Sequence, residues 1–339
     1  MIRATARAAV LRPVPGSPVI LGAVRATVAA PATLPLSLAA FLIRGGIVVL
    51  AIPMLVLPTP VGIGNLAGPS LLQLATGTIP LAVVEAAIAA GLILVAWVVV
   101  GGWAAAILEA ETVRLVVEAG EGRAPEADRR PSRGREAGRI LAVRLVAAVP
   151  LVVVLAVGSV RVTLATYREL TDPVAVGSSL VIRVLRDVPE VVLAVLVAFA
   201  LAEILGAVAA RHVVIRGSTA TSAFRDAARD VVRQPISTLV HWVVPAGVGV
   251  VVLAAAVVAT AWAWATVRGV LGADGLAREL AAVAILVACW TLGLVAVAAA
   301  SAWRGTVWTR AAMLDRGTFG VPTDRHPGDW RTDPTSPTL

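Results

Sequence analysis

The chain has 339 residues, 58% hydrophobic and only 15% charged, with a mean hydropathy of +0.89. No aqueous surface accommodates that balance, so a soluble domain is excluded and a multi-pass membrane protein is expected. The net charge of +8 comes from 29 basic residues, all of them arginine, which excludes lysine chemistry, and the single cysteine, Cys289, excludes intrachain disulfides and Cys-rich metal or iron–sulfur centres.

Residues 1–35 read as an N-terminal segment with an interfacial helix. Its apolar part, residues 18–24, is closed by Arg25 and is too short for the core of a secretory signal, which needs about 7 to 15 residues. A membrane domain follows over 36–317. A bilayer core about 30 Å thick takes roughly 20 apolar residues at about 1.5 Å each. Six stretches reach that length, near 36–57, 80–107, 140–163, 189–210, 239–265 and 280–303. Pro53, Pro150 and Pro245 predict kinks in the odd-numbered spans, because neighbouring helices re-satisfy the freed carbonyls.

Between spans 1 and 2, Gly62, Gly64 and Gly68 lie in a Pro-rich loop without the strand-turn-helix setting of a phosphate-binding run. Between spans 2 and 3, residues 121–137 read as a disordered arginine-rich loop. After span 4, Ala220, Ala223, Phe224, Ala227, Val231 and Val232 recur at helical spacing opposite Arg225, Asp226, Arg229, Asp230 and Arg233. This predicts an amphipathic helix over 218–234, with Ser218 as N-cap and Pro235 as its stop. Arg225, Arg229 and Arg233 are its candidate contacts with anionic lipid headgroups. Residues 318–339 read as a disordered tail.

Twenty-one of the 29 arginines fall before span 1, between spans 2 and 3, between spans 4 and 5, and after span 6. Positive residues near span ends are retained in the cytoplasm, so both termini are expected there, with the protein in the inner membrane. Arg25 stands six residues before Pro31 as Arg229 stands six before Pro235, which suggests three parallel hairpins, each entered from the cytoplasm. The small residues Ala86, Ala90, Gly91, Gly101, Gly102, Gly206, Gly247 and Gly249 predict close helix contacts and a compact bundle.

An ionisable residue deep in a span costs a few kcal/mol and is a functional candidate. Arg44 in span 1 and Glu203 in span 4 lie at overlapping depths and are expected to pair, directly or through water. Glu109 and Glu111 end span 2 where Arg144 enters span 3, and Glu85 and Glu190 lie near Arg161; both groupings predict ion pairs. His212, His241 and His326 lack metal-ligand spacing, and no nucleophile elbow occurs. Trp242, Trp262, Trp264, Trp303 and Trp308 fit an interfacial belt, whereas Trp97, Trp103 and Trp290 lie deeper, where core packing or a lipid-facing position is expected ahead of the alternative, a ligand cavity.

Six spans, cytoplasmic ends and a short amphipathic helix running from Arg225 to Pro235 before the next span resemble uncharacterised prokaryotic membrane proteins similar to the glycerophosphodiester phosphodiesterase membrane domain. The resemblance covers most of residues 15–317. It implies a membrane bundle and no active site, since the hydrolase activity of that family belongs to a separate soluble domain. The expected class is thus all-α: a polytopic transmembrane helix bundle, six spans in three hairpins with cytoplasmic amphipathic helices. No cofactor, metal, nucleic acid or catalytic activity is expected. The partners are the lipid bilayer, its anionic headgroups and a companion protein or second copy. The first functional expectation is an accessory or scaffold protein, and the alternative is a small transporter or lipid-handling permease with a polar site at Arg44 and Glu203. A continuous polar cavity holding those two residues would favour the second, and a dry apolar interior the first.

Overall fold

The computed structural model describes residues 17–54, 73, 77, 79–121, 132–171, 180–271 and 275–319. Six helical stretches are long and apolar enough to cross a membrane: Thr33–Met54, Leu81–Gly120, Arg133–Glu169, Pro189–Arg216, Pro235–Val270 and Leu276–Leu314. No strand occurs among the described residues, and the chain is an all-α multi-pass membrane protein. Gly62, Gly64 and Gly68, residues 122–131 of the arginine-rich segment and the tail beyond 319 lie outside the described residues.

Helix α1 (Ser17–Ala29) precedes span 1 and ends just before Pro31. Buried Thr33 donates to the Ala30 carbonyl through both its hydroxyl, at 2.7 Å, and its backbone N–H, at 3.0 Å, which ties the start of span 1 to the end of α1. Span 1 begins as α2 (Thr33–Phe41), passes a widened turn at Leu42–Gly46 and resumes as α3 (Ile47–Ala51) before a tight turn, Ile52–Met54. Inside the widened turn Gly45 has φ of 100°, a conformation that costs an L side chain about 1–2 kcal/mol. The break in span 1 is therefore made at Gly45 rather than at Pro53, because glycine reaches a backbone region that proline does not.

Span 2 consists of α4 (Leu81–Ala96), a second widened turn at Trp97–Gly101, and α5 (Gly102–Glu121). Span 3 is α6 (Arg133–Thr171), which runs on through Pro150. Its start shows that residues 133–137, expected in a loop, are helical, since Glu136 in the first turn is tied to α5 by Arg114. The short α7 (Leu180–Asp187) leads into span 4, α8 (Pro189–Arg216). Gly217, at φ of 67°, closes α8 with a left-handed cap. The amphipathic helix is α9 (Ala220–Arg233), and its N-cap is Thr219, whose hydroxyl accepts from the Ser222 N–H at 3.4 Å, not Ser218. Spans 5 and 6 are α10 (Pro235–Val270), continuous through Pro245, and α11 (Leu276–Phe319).

Several helices exceed what a bilayer needs. The 40 residues of Leu81–Gly120 correspond to about 60 Å, roughly twice the hydrocarbon core. The excess gathers at one end, the base, where α1 and α9 also lie. Ala106 and Ala110 of α5, Ile140 and Val143 of α6, Ala209 and Val213 of α8, and Ala223 and Ala227 of α9 form the largest buried cluster there. Val19 and Ala23 seat α1 on Val307 of α11. Small residues at these positions let helices approach closely.

Away from the base the contacts divide. Leu50 of α3 meets Ala256 of α10 and Val297 of α11 on one side, while Ala165 of α6 meets Val184 and Val188 around α7 on the other. No residue of α4 is buried, so the outer half of span 2 presents itself to lipid nearly all round. Spans 3 and 4 and spans 5 and 6 pack as hairpins, but spans 1 and 2 meet chiefly through α2 and α5 at the base. The expectation of compactness fails for Ala86, Ala90 and Gly91, which are exposed, and for Gly247 and Gly249, beside which nothing stands within 4 Å. Gly102 against Leu141, Gly101 against Ile43 and Gly206 against Arg144 and Ala147 are close approaches that do form.

Candidate anion-binding site

Helix α5 touches α1, α2, α6, α8 and α11, and so occupies the middle of the base. Any charge it carries inward is within reach of four spans. That charge is Glu109, 7% exposed, and it accepts from three arginines on three helices. Arg44 Nη2 donates to Oε2 at 2.5 Å, Arg144 donates through Nε to Oε2 at 2.9 Å and through Nη2 to Oε1 at 2.6 Å, and Arg211 Nη1 donates to Oε1 at 2.6 Å. The Arg144 pair is two-pronged, the geometry in which a guanidinium holds a carboxylate most firmly. Arg211 also donates to the carbonyls of Ala207 at 3.1 Å and Gly305 at 3.4 Å, linking α8 to α11.

A second carboxylate stands beside the first. Glu203 on α8 accepts from Arg304 on α11 and lies 3.9 Å from Arg144 Nη1. Local sequence makes room for these groups. The left-handed Gly45 follows Arg44 directly, and a Cβ on Gly46 would collide with the Phe41 ring. A Cβ on Gly206 would stand 3.4 Å from Arg144 Nη1 and crowd the guanidinium.

The expected pair is thus re-partnered. Arg44 is held by Glu109, and Glu203 is held by Arg304 and Arg144, because α5 rather than α8 packs against α2. Both residues nonetheless line one cavity of about 380 Å³, together with Glu109, Arg144, Arg211 and Arg304. Ser37 and Ser301 bring hydroxyls, and Phe41, Phe199 and Trp308 supply apolar walls. Four arginines face two carboxylates, which leaves two positive charges in excess. The Trp308 side chain is 5% exposed and its indole N–H has no hydrogen-bond partner among the described residues; Arg211 Nε is in the same state.

The cavity has a defined level in the bundle. Glu109, Arg144, Glu203 and Arg304 are each the first charge beyond the uninterrupted apolar part of their span at its basal end, and Arg211 follows Glu203 farther along span 4. The site therefore lies toward the basal end of the apolar stretches of these spans. That pattern, one charge at the same end of four spans, is the signal by which sequence alone would have grouped them. From sequence Glu109 joins Arg144 and Trp308 belongs to the interfacial belt, whereas Arg211 and Arg304 become part of the site only in the folded bundle. Of the three deeper tryptophans, Trp290 packs in the cluster around Leu50 and Trp97 and Trp103 are exposed, and none of them lines the cavity.

Other polar contacts brace the base. Arg114 donates to Glu111 at 2.8 Å and to Glu136, and Arg133 stands 3.2 Å from Glu111, stitching α5 to α6. His212 and Asp230 are 2.9 Å apart and hold α9 to α8. On α9, Arg225, Arg229 and Arg233 form an exposed row opposite buried Ala223 and Ala227. At the other end, exposed Arg161 and Glu190 meet at 3.0 Å.

Fold and site together define a polytopic membrane protein with a cation-rich polar cavity at one end of its bundle. Comparisons with known protein families, curated proteins and solved structures return no match. The site must therefore be read from its own chemistry.

Proposed function

We propose that the protein binds an anionic substrate within its membrane domain and works as a small transporter or lipid-handling permease of the cytoplasmic membrane. The surplus of cations in the cavity carries this reading. A purely mechanical clamp between spans works best when charges balance, because an unmatched buried charge destabilises its surroundings. Four guanidiniums against Glu109 and Glu203 leave a deficit of negative charge, and a bound anion supplies it. The arginine distribution supports a cytoplasmic base with both termini on that side. The row Arg225, Arg229 and Arg233 then faces the cytoplasmic leaflet, whose anionic lipids attract such residues by about 1 kcal/mol each.

A second reading, an accessory scaffold with the charges as a clamp, draws support from the way Glu109 ties three arginine-bearing helices to α5. Native mass spectrometry of the gently solubilised protein separates the two. The expected spectrum shows an anionic lipid or small anion retained by the wild type and lost from Arg44→Gln/Arg304→Gln. A stoichiometric protein companion with no retained anion overturns the proposal in favour of the scaffold.

A further inference from the structure

Taking the cavity as an anion site, on which this step rests, we propose that its ligand is a phosphate monoester dianion. Charge is the first argument: the six ionised side chains of the cavity leave an excess of two positive charges, which a monoester matches at about −2 above neutral pH and a phosphodiester, at −1, does not. Donor geometry is the second. Arg44 and Arg304 are the two least covered arginines of the cluster, with side chains 38% and 35% exposed. Each spends one Nη on a carboxylate and lines the cavity with donors to spare, and a guanidinium fork suits the terminal oxygens of a phosphate.

Two further donors belong to side chains that line the cavity. The Trp308 indole N–H and Arg211 Nε, both on side chains more than nine-tenths buried, have no partner among the described residues. Buried donors of this kind are ordinarily satisfied, and a multi-oxygen anion accepts from several at once. Size and level agree as well. About 380 Å³ corresponds to roughly a dozen water volumes, enough for a phosphate and a glycerol-sized attachment against Phe41 and Phe199. The cavity also lies toward the basal end of the apolar stretches, the end nearer to headgroups in a spanning bundle. The same chemistry is offered by a lipid with a monoester headgroup and by a soluble phosphate.

Calorimetric titration of the purified protein at pH 8 tests this with three probes: inorganic phosphate, dioctanoyl phosphatidic acid and dioctanoyl phosphatidylglycerol. The two dianions are expected to bind about tenfold or more tighter than phosphatidylglycerol. Phosphatidic acid binding well above inorganic phosphate identifies the lipid as the source, and equal binding identifies a soluble phosphate. Two variants move the surplus in opposite directions. Glu203→Gln raises it and should tighten dianion binding about tenfold, whereas Arg304→Gln lowers it and should weaken dianion binding by a similar factor. Should Arg304→Gln fail to fold, Glu203→Gln carries the test alone. Phosphatidylglycerol binding as tightly as phosphatidic acid, or no change on Glu203→Gln, overturns the dianion assignment while leaving the cavity an anion site. Absence of binding by all three probes overturns the anion site itself.

Discussion

Replacing Glu109 by glutamine is the most informative single change at the base. The carboxylate is 7% exposed and accepts four hydrogen bonds, between 2.5 and 2.9 Å, from Arg44, Arg144 and Arg211. A hydrogen bond to a charged group contributes about 1.5–3 kcal/mol, but the four share one acceptor and do not add. The governing quantity is the charge left behind. Without Glu109 the cavity holds four guanidiniums against Glu203 alone, and Arg211, 5% exposed, has no other carboxylate among its hydrogen-bond partners. Breaking a buried pair in this way costs about 3–5 kcal/mol, and glutamine keeps the size of the side chain, so packing contributes little. The apparent unfolding midpoint should fall on the order of 10 °C. Scanning tryptophan fluorescence in mild detergent follows it, with Trp303 and Trp308 close to the site. Glu203→Gln, at a side chain 28% exposed, should shift the midpoint by less than half as much. A Glu109→Gln protein that melts within about 2 °C of wild type would refute the view that this carboxylate joins the spans.

Gly45→Ala forces a side chain into the backbone conformation at φ of 100°, and a loss of about 1–2 kcal/mol in stability is expected from thermal unfolding, together with weaker anion binding as Arg44 moves. Gly206→Val crowds Arg144 from 3.4 Å; calorimetry should show anion affinity reduced about tenfold while the helical circular dichroism is kept. Asp230→Ala removes the contact at 2.9 Å to His212 and should raise hydrogen exchange over 220–233 without altering exchange in α10, since α9 is the element that this contact holds. In nanodiscs, α9 should be better protected from exchange by anionic than by zwitterionic lipid, and the triple change of Arg225, Arg229 and Arg233 to glutamine should abolish the difference.

The spans were legible because length and apolarity are local properties, and α9 was legible because its period of apolar residues is local too. The partners inside the base were not. Which carboxylate Arg44 meets depends on α2 lying against α5, a contact between segments far apart in sequence that no single span encodes. The widened turn at Leu42–Gly46 was partly visible in Gly45 and Gly46, yet glycine pairs in membrane helices more often signal close packing, and only the φ of 100° separates the two meanings. The start of α6 was misread for a related reason. Arg133 and Glu136 look like linker residues until Glu111 and Arg114 on α5 provide their counter-charges.

The central place of Glu109 also bears on how the chain enters the bilayer. Spans emerge from the ribosome in chain order, and the first is the least apolar, being interrupted by Arg44. Its counter-charge, Glu109, arrives in the very next span, and a neutral Arg44–Glu109 pair costs less to place in the bundle than Arg44 alone. Arg144 and Arg211 then join a carboxylate that is already in place, and Arg304, in the last span, meets Glu203 only when synthesis is nearly finished. A nascent chain halted before span 6 would hold a site open on the side that α11 closes, exposed to the quality-control proteases that remove unfinished membrane proteins.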